Sequence, residues 1–422
     1  MLSFLAYRAD SAPEGAIIAA SRTWYRSAMG IAAGVGLSTE TDALEAARAA
    51  ARAALERGGL ARADWGMVFA TSPHRPQYAA VLAEVQSVLG SDDLTGCSAW
   101  GVLTGAEEVE GRPAVAVLAV RSDRIEAQAL IATSRDDGGR AATQEIGRRV
   151  TARTGPGLLV LLPDPYAVRP DEMLDQLSRA APGVPAVGAA ASGDPRAEGT
   201  FQFCGRNVAT RALAALYLSG ALHAEIGVTQ GCQPLGAPCT VTRGRDNLIL
   251  ELDGRPPLEV LRSRLPGALR DSIERLGGHL FVGLPPDPSG DRIDPGEYLV
   301  RTLMGADTKE GALAIGATVR EGQPILLVLR EGSSAREDLK QMLGRIRDRP
   351  GFNTSRFGLY FNCAARGTSL YGMPGIDTAY LSGALGELPI IGFFGNAEIA
   401  PLRGANRLFT HTGVLALVGE AA

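Results

Sequence analysis

Two short stretches near the C-terminus, FNCAARG and IIGFFGNAEI, place small and polar residues directly after apolar runs that are typical of buried strands. Arg366 belongs to the first stretch and Glu398 to the second, so together they offer one group of each charge. A buried charge is costly unless it is paired, hydrogen-bonded or neutralised. Two opposite charges at one sheet edge suit a zwitterionic ligand, with Phe394 against its apolar part. The alternatives are a structural ion pair or two unrelated solvent-exposed side chains. The candidate ligand-binding residues are Asn362, Cys363, Arg366, Gly367, Gly392, Phe394, Gly395, Asn396 and Glu398, with Arg301 from a separate strand.

The sequence carries no recognised catalytic pattern. G-x-S-x-G, H-E-x-x-H and the Walker lysine loop are absent, and the glycine-rich GIAAGVGLS lacks the full dinucleotide spacing. Cys363 has no obvious histidine partner in the sequence, so we interpret it as a small buried thiol; a hydrolase that uses Cys363 or a serine is the alternative. We therefore expect a binding protein without catalytic residues.

His411 is the candidate for a cofactor ligand. The alternating run FTHTGVLALV predicts a strand in which Phe409, His411 and Gly413 share one face, which turns either to a pocket or to solvent. Haem with His411 as its axial ligand is therefore an alternative function. The five cysteines include no C-x-x-C pair and there are only four histidines, so no metal site is expected.

The composition limits the partners. A net charge of -4 and a pI near 5.8 give no basic surface for nucleic acid or an anionic membrane. No run of about 18 apolar residues and no secretory signal pattern occur, so we expect a cytoplasmic protein. A chain of 422 residues exceeds the size of a single core, which favours two domains.

The elements that must position these residues repeat along the chain. Three segments share a pattern of strand, helix and glycine-containing strand, and they begin at WGMVFATSPH, GLLVLLPDP and FGLYFNCAAR. Residues 113–210 and 311–418 look like two copies of one β-β-α-β-α-β-β unit, in which RIEAQALIA and PILLVLR are equivalent strands. The sequence predicts an α/β fold of two pseudo-duplicated domains with mixed β-sheets and flanking helices, joined through residues 230–245.

The same stretches resemble a known family. FNCAARGTSLYG, LPIIGFFGNAEIAPL and LFTHTGVLALV resemble the FIST C-terminal domain, and GVGLSTETDALEAARAAARAAL, WGMVFATSPH, LTGCSAWGVL, VPAVGAAASG and GVTQGCQPLG resemble the FIST N-terminal domain. Both candidate stretches match the C-terminal motif, although Ala397 stands where many members have glycine. The resemblance assigns 1–28 to an N-terminal extension, 29–245 to the FIST N-terminal domain and 246–422 to the FIST C-terminal domain.

The resemblance implies a function in sensing. FIST proteins are similar to small-ligand sensory modules for which amino acids have been proposed as ligands, and some bacterial members resemble haem-based nitric-oxide sensors. No kinase, cyclase or DNA-binding segment is recognisable here, so we expect any output signal either to pass through a partner protein or to be absent. A protein-interaction scaffold without a ligand of its own is the remaining alternative.

Overall fold

The computed structural model describes residues 30–151, 157–196, 199–265, 267–270, 278–287, 289–294, 296–307 and 309–421. The predicted N-terminal extension, 1–28, lies outside the described residues. The described chain forms three six-stranded mixed sheets and one small barrel, with helices packed on the sheets. The predicted α/β class with mixed sheets and flanking helices is confirmed.

The first unit contains the long alanine-rich helix that the sequence predicts. Asp42 caps it, because its carboxylate accepts hydrogen bonds from the N–H groups of Leu44 and Glu45, and Gly58 follows its last turn. The elements of this unit are β1 (Ala32–Ser38), α1 (Ala43–Arg57), β2 (Trp65–Thr71), a 3₁₀ helix (Ser72–Gln77), α2 (Tyr78–Leu89), β3 (Leu94–Ala99), β4 (Gly101–Thr104), β5 (Glu108–Glu110) and β6 (Val115–Arg121).

The second unit follows directly and repeats the order of strands and helices. Its elements are β7 (Ile125–Thr133), α3 (Arg140–Thr151), β8 (Gly157–Pro163), α4 (Pro170–Ala180), β9 (Ala186–Ala189), β10 (Gln202–Cys204), β11 (Asn207–Ala209) and β12 (Ala212–Gly220).

The third unit begins with β13 (Leu222–Gln230) and is then interrupted by the barrel. The barrel consists of β14 (Cys232–Pro234), β15 (Cys239–Arg245), β16 (Leu248–Leu252), α5 (Pro257–Arg264), α6 (Gly267–Arg270), β17 (Leu280–Leu284), β18 (Leu299–Ala306), β19 (Leu313–Ile315) and β20 (Pro324–Arg330). The strands follow the order β14-β20-β15-β16-β19-β18-β17, and pairing between β20 and β17 closes the ring.

The third unit resumes after the barrel and supplies both candidate stretches. Its remaining elements are α7 (Gly332–Arg347), a 3₁₀ helix (Pro350–Thr354), β21 (Ser355–Cys363), α8 (Thr368–Tyr371), α9 (Ile376–Leu385), β22 (Ile390–Gly395), β23 (Glu398–Leu402), β24 (Ala405–Phe409) and β25 (Thr412–Glu420). The described ends of the chain meet here, because the backbone N–H of Ile31 donates to the carboxylate of Glu420 at 2.9 Å.

Each unit lends a hairpin to the sheet of another unit. The three sheets have the orders β1-β6-β2-β3-β10-β11, β7-β12-β8-β9-β23-β24 and β13-β25-β21-β22-β4-β5. The hairpin β10–β11 therefore extends the first unit's sheet, β23–β24 the second's and β4–β5 the third's. The pseudo-duplicated arrangement is confirmed, and it extends to a third unit.

One glycine recurs at the same place in all three units. A Cβ on Gly96, Gly188 or Gly392 would lie 1.7, 2.0 or 1.8 Å from a carbonyl oxygen of the neighbouring parallel strand. Those oxygens belong to Val68, Leu161 and Tyr360, respectively. Only glycine allows the two strands to approach so closely, which explains the glycine that follows each helix in the repeated sequence pattern.

One assignment of the repeat was wrong. PILLVLR is β20 of the barrel, and the strand equivalent to RIEAQALIA is β13, which pairs with β25. The barrel separates β13 from α7 by about 100 residues. The apolar run directly before α7, which is β20, was therefore mistaken for the strand equivalent to RIEAQALIA. The domain limits 29–245 and 246–422 stay a prediction.

Candidate ligand-binding site

The centre of the site is a fully buried ion pair between Arg366 and Asp377, both 0% exposed. The Nε and Nη2 atoms of Arg366 each donate to Asp377 at 3.1 Å. Burial alone would raise the pKa of Asp377, but Arg366 and the surrounding donors outweigh burial and lower it. Arg366 is therefore paired with an aspartate that the sequence analysis did not single out, and not with Glu398.

Three neutral side chains complete the hydrogen bonding of Asp377. The Tyr360 hydroxyl donates at 3.0 Å, the Asn362 Nδ2 at 2.9 Å and the Tyr371 hydroxyl at 2.7 Å. Tyr360 and Asn362 share the helix-facing side of β21, because alternate residues of a strand point the same way. Five donors on one carboxylate hold this part of the sheet, α8 and α9 together.

The signal for Asp377 was weak in the sequence. It lies in the first turn of α9, where an acidic residue is common for purely helical reasons. Nothing in its spacing from Arg366 distinguishes a buried partner from a solvated helix start. Tyr371 was missed for the same reason, because the four-residue α8 is too short to leave a periodic pattern.

Glu398 is buried on the other side of β21. It begins β23 and is 0% exposed; its Oε2 accepts from the Thr412 hydroxyl at 2.8 Å and from the Thr412 N–H at 3.2 Å. Burial raises its pKa to about 8, although those hydrogen bonds, Cys363 and Arg366 oppose the shift. Glu398 is therefore mostly protonated at neutral pH. Protonation therefore neutralises this buried carboxylate.

The position of Cys363 has a structural explanation. In each unit the residue that pairs with the recurring glycine is followed, three residues later, by the last position of the strand or the residue just after it. Cys363 occupies this position in the third unit, and Thr71 and Asp164 occupy it in the first and second units. Thr71 accepts from Ala114 N–H at 2.8 Å and Asp164 from Arg211 N–H at 3.0 Å, so both hold the turn that enters the last strand. Burial raises the pKa of Cys363, and the adjacent Glu398 raises it further. The thiol is therefore uncharged and poorly nucleophilic.

Arg330 brings a second guanidinium into the site from the end of β20. It is 9% exposed, and its Nη2 donates to the Ala365 carbonyl and to the Ser369 hydroxyl, the latter at 3.0 Å. Burial lowers its pKa, and Arg366 contributes to the same shift. Among the described residues, no carboxylate lies within the 4 Å of an ion pair with Arg330.

Several buried polar atoms around these two arginines lack a hydrogen-bond partner. They are Arg366 Nη1, Arg330 Nε, Asn362 Oδ1, Glu398 Oε1, His411 Nδ1 and Gln230 Oε1. A Cβ on Gly231 would lie 3.5 Å from Arg366 Nη1, and both guanidinium groups are close enough to Cys232 to lower its pKa against burial, which raises it to about 12. The backbone at Gly231 and Cys232 thus forms one wall of the site, where the barrel joins the third unit. We refer to this group of atoms as the arginine site.

His411 lies in a turn and not in a strand, so that part of the sequence prediction was wrong. It follows the end of β24 and precedes β25, with a φ of 61°. Arg211 occupies the equivalent turn of the second unit with a φ of 53°. The His411 ring packs on Phe281 at 4.2 Å between centroids. Burial and the nearby Arg330 lower its pKa to about 4, so it is neutral at pH 7.

The remaining candidate residues lie around the second stretch. Phe394 is fully buried in the core cluster on the helix side of the third sheet, and a Cβ on Gly367 would lie 2.9 Å from its ring. Gly395 faces Ala189 of the second unit, and Asn396 Nδ2 donates to the Ala191 carbonyl at 2.8 Å. These residues therefore join units to one another beside the arginine site.

Arg301 lies apart from the other candidates. It extends from β18 of the barrel into a separate cavity, next to α4 and β24. Its Nη1 donates to the Val300 carbonyl at 2.9 Å. Whether any of the candidate residues binds a ligand stays a prediction.

The β4–β5 hairpin of the first unit is hydrogen-bonded to residues 367–375, the loop that covers the arginine site. Glu110 accepts from the N–H and hydroxyl of Thr368 at 2.9 and 2.8 Å, and Glu108 accepts from the N–H of Gly375. Burial raises the pKa of Glu108 to about 7, and Asp377 and Glu110 add to the shift. Positive φ angles at Gly367 and Gly375 allow the chain to turn at both ends of this loop.

Comparison with known families accounts for most of the chain. The FIST N domain matches residues 64–255, and the FIST C domain matches residues 257–401. The chain belongs to the FIST family. FIST domains are small-ligand-binding sensory domains, and both candidate stretches fall within the FIST C match.

Two relatives of this FIST chain match it over nearly their whole length. An uncharacterized protein of Mycobacterium tuberculosis is 34% identical over 385 residues, which cover 91% of this chain and 98% of the relative. An uncharacterized protein of Mycobacterium bovis is 31% identical over 385 residues, which again cover 91% of this chain and 98% of the relative. Neither relative indicates a ligand.

A weak structural match was also found. A crystal structure of cyanuric acid hydrolase from A. caulinodans covers 93% of this FIST chain and 100% of its own, with a TM-score of 0.31 and 10% identity. That similarity is too low to support an argument. Among the described residues of the FIST chain, no helix is long and apolar enough to cross a membrane.

The alternative functions of this FIST protein remain open. The ring of His411 is packed against Phe281. Haem binding and a scaffold role stay predictions, and the first is tested by a Soret band on addition of haem.

Proposed function

We propose that this FIST protein binds a small carboxylate metabolite, such as an amino acid, at the arginine site and acts by binding and not by catalysis. One observation carries the proposal, namely that buried donors of two arginines lack partners at one place. Buried polar atoms in native proteins nearly always have a partner, so a ligand that supplies acceptors there would satisfy them.

The charges of the site indicate the sign of the ligand. Arg330 and Arg366 contribute two positive charges and Asp377 one negative charge. The raised pKa of Glu398, about 8, and the lowered pKa of His411, about 4, make both groups neutral at pH 7. The site therefore has one uncompensated positive charge, and burial makes its compensation favourable. A carboxylate accepts from arginine in the preferred planar geometry.

The position of the site suggests how binding would be transmitted. Arg330 belongs to the barrel, Arg366 to the third unit, and the covering loop is fastened by Glu108 and Glu110 of the first unit. A ligand between the two arginines would contact the barrel and the third unit at once. We propose that it changes the packing of the barrel against the units, and that a partner protein reads this change.

The test is a thermal-shift and calorimetric screen of amino acids and small dicarboxylates. A ligand at about 100 times its Kd adds about 2.7 kcal/mol to the free energy of unfolding, which raises the midpoint measurably. The Arg330→Gln variant should lose the shift, because it removes the unpaired charge and keeps the ion pair of Arg366. The matched control is Arg264→Gln, a part-buried arginine of the barrel that lies outside both the arginine site and the cavity that contains Arg301. Equal binding by Arg330→Gln and wild type would contradict the proposal.

A further inference from the structure

The cavity that contains Arg301 has a volume of about 480 Å³ and lies where the barrel meets the second unit. Its walls come from α4, from β24 of the hairpin lent by the third unit, and from the ends of β17 and β18. The volume is within the range of small-molecule pockets, about 300–1,000 Å³. None of its lining residues belongs to the arginine site.

Two arginines line the inner part of this cavity. Burial lowers the pKa of Arg301, and Asp171 only partly opposes the shift. Arg407 has a buried Nε without a hydrogen-bond partner. Asp287 lies near Arg407, but no carboxylate of the described residues lies within 4 Å of either guanidinium. Arg301 and the Nε atom of Arg407 are thus largely buried without a carboxylate partner, a state that an anionic group would relieve.

The outer rim has the opposite charge. Asp171 and Asp175, one turn apart on α4, are exposed and line the same cavity. Asp171 is close enough to Arg301 to influence its pKa, yet the two groups form no direct ion pair. Positive and negative groups therefore line the same cavity. Leu174, Leu284 and Leu408 supply apolar wall between them.

We propose that this cavity binds an elongated zwitterion, with its carboxylate between Arg301 and Arg407 and its ammonium group at Asp171 and Asp175. A chain of methylene groups between the two ends would lie against the leucines. A simple anion would leave the rim without a partner, and a simple cation would leave the arginines buried and uncompensated. The site is independent of the proposed function, because its residues differ from those of the arginine site.

The proposal is tested by calorimetric titration of the full chain with three matched probes. They are 6-aminohexanoate, which has both charges, hexanoate, which has only the carboxylate, and hexylamine, which has only the ammonium. We expect 6-aminohexanoate to bind at least tenfold more tightly than either of the others. Equal affinities for all three, or no heat from 6-aminohexanoate at millimolar concentration, would overturn the proposal.

Variants locate the binding. Arg301→Gln and Asp171→Asn should each weaken 6-aminohexanoate binding at least tenfold, whereas Arg196→Gln, an exposed arginine outside both sites, should leave it unchanged. Asp171 is exposed, so its variant tests the proposal even if Arg301→Gln fails to fold. Unchanged affinity in Asp171→Asn, or loss of affinity in Arg196→Gln, would refute the assignment to this cavity.

Discussion

Replacement of Asp377 by asparagine tests the central ion pair most directly. The change keeps the size of the side chain but leaves Arg366 fully buried without a counter-charge. Removal of one partner from a buried pair costs about 3–5 kcal/mol, because the remaining charge is no longer compensated. Domains are stable by only about 5–15 kcal/mol in total, so this loss is a large fraction. The same change also disturbs the hydrogen bonds from Tyr360 and Tyr371.

Urea unfolding measures the loss. With an m-value of about 3 kcal/mol/M, a cost of about 4 kcal/mol lowers the midpoint of the affected transition by about 1.3 M urea. The control is Asp194→Asn, which breaks the exposed pair with Arg196 and should leave the midpoint unchanged. The double variant Arg366→Met/Asp377→Leu should be more stable than Asp377→Asn, because it removes the uncompensated charge.

The pH dependence gives a second readout of the same pair. The pKa of Asp377 is lowered in the folded state, so its contribution is present above the unfolded pKa of about 3.9. That contribution is lost as the pH falls through the folded value. Asp377→Asn should therefore flatten the acid limb of stability against pH. A midpoint within about 0.3 M of wild type, together with an unchanged acid limb, would refute the role given to the pair.

Three further predictions concern single residues. The raised pKa of Glu398, about 8, means that its contribution to stability is full below the unfolded pKa of about 4.3 and is lost as the pH rises toward 8. Glu398→Gln should then unfold at a higher temperature than wild type at pH 8 but not at pH 4, and equal midpoints at pH 8 would contradict this. Gly392→Ala should prevent stable folding, because its Cβ would meet the Tyr360 carbonyl oxygen. Gly383→Ala, in open space on α9, should raise the free energy of unfolding by up to about 1 kcal/mol. Similar urea midpoints for the two variants would count against the close strand approach. Cys363 should resist iodoacetamide in the folded protein and react after unfolding, as mass spectrometry would show, and rapid native labelling would favour the nucleophile alternative.

The sequence was sufficient to predict the elements that repeat. The helix α1, the strands β2, β8 and β21 and the glycine-containing strands after the helices all have strong local patterns, and each is present. The position of β13 could not be predicted, because an inserted barrel of about 100 residues separates it from α7. Periodicity identifies local elements and carries no information on which distant strand will pair.

The candidate site was predicted only in part, for a related reason. Asn362 lies at the end of a buried strand, and Arg366 and Glu398 follow buried strands; the structure buries all three near one another. Asp377 and Arg330 come from a helix start and from a barrel strand, where charged residues are usually ordinary surface groups. Only three-dimensional packing shows that both are desolvated. The turn at His411 was hidden by an alternation that resembles a strand.

The hairpins lent between sheets form a closed cycle, from the first unit to the third, from the third to the second and from the second to the first. A closed cycle has no intrinsic first member. Since Ile31 and Glu420 are already in contact, a short linker between them and a new opening between β6 and β7 would preserve every pairing in the three sheets. A circular permutant of this kind keeps the architecture, whereas excision of any one unit leaves two sheets incomplete.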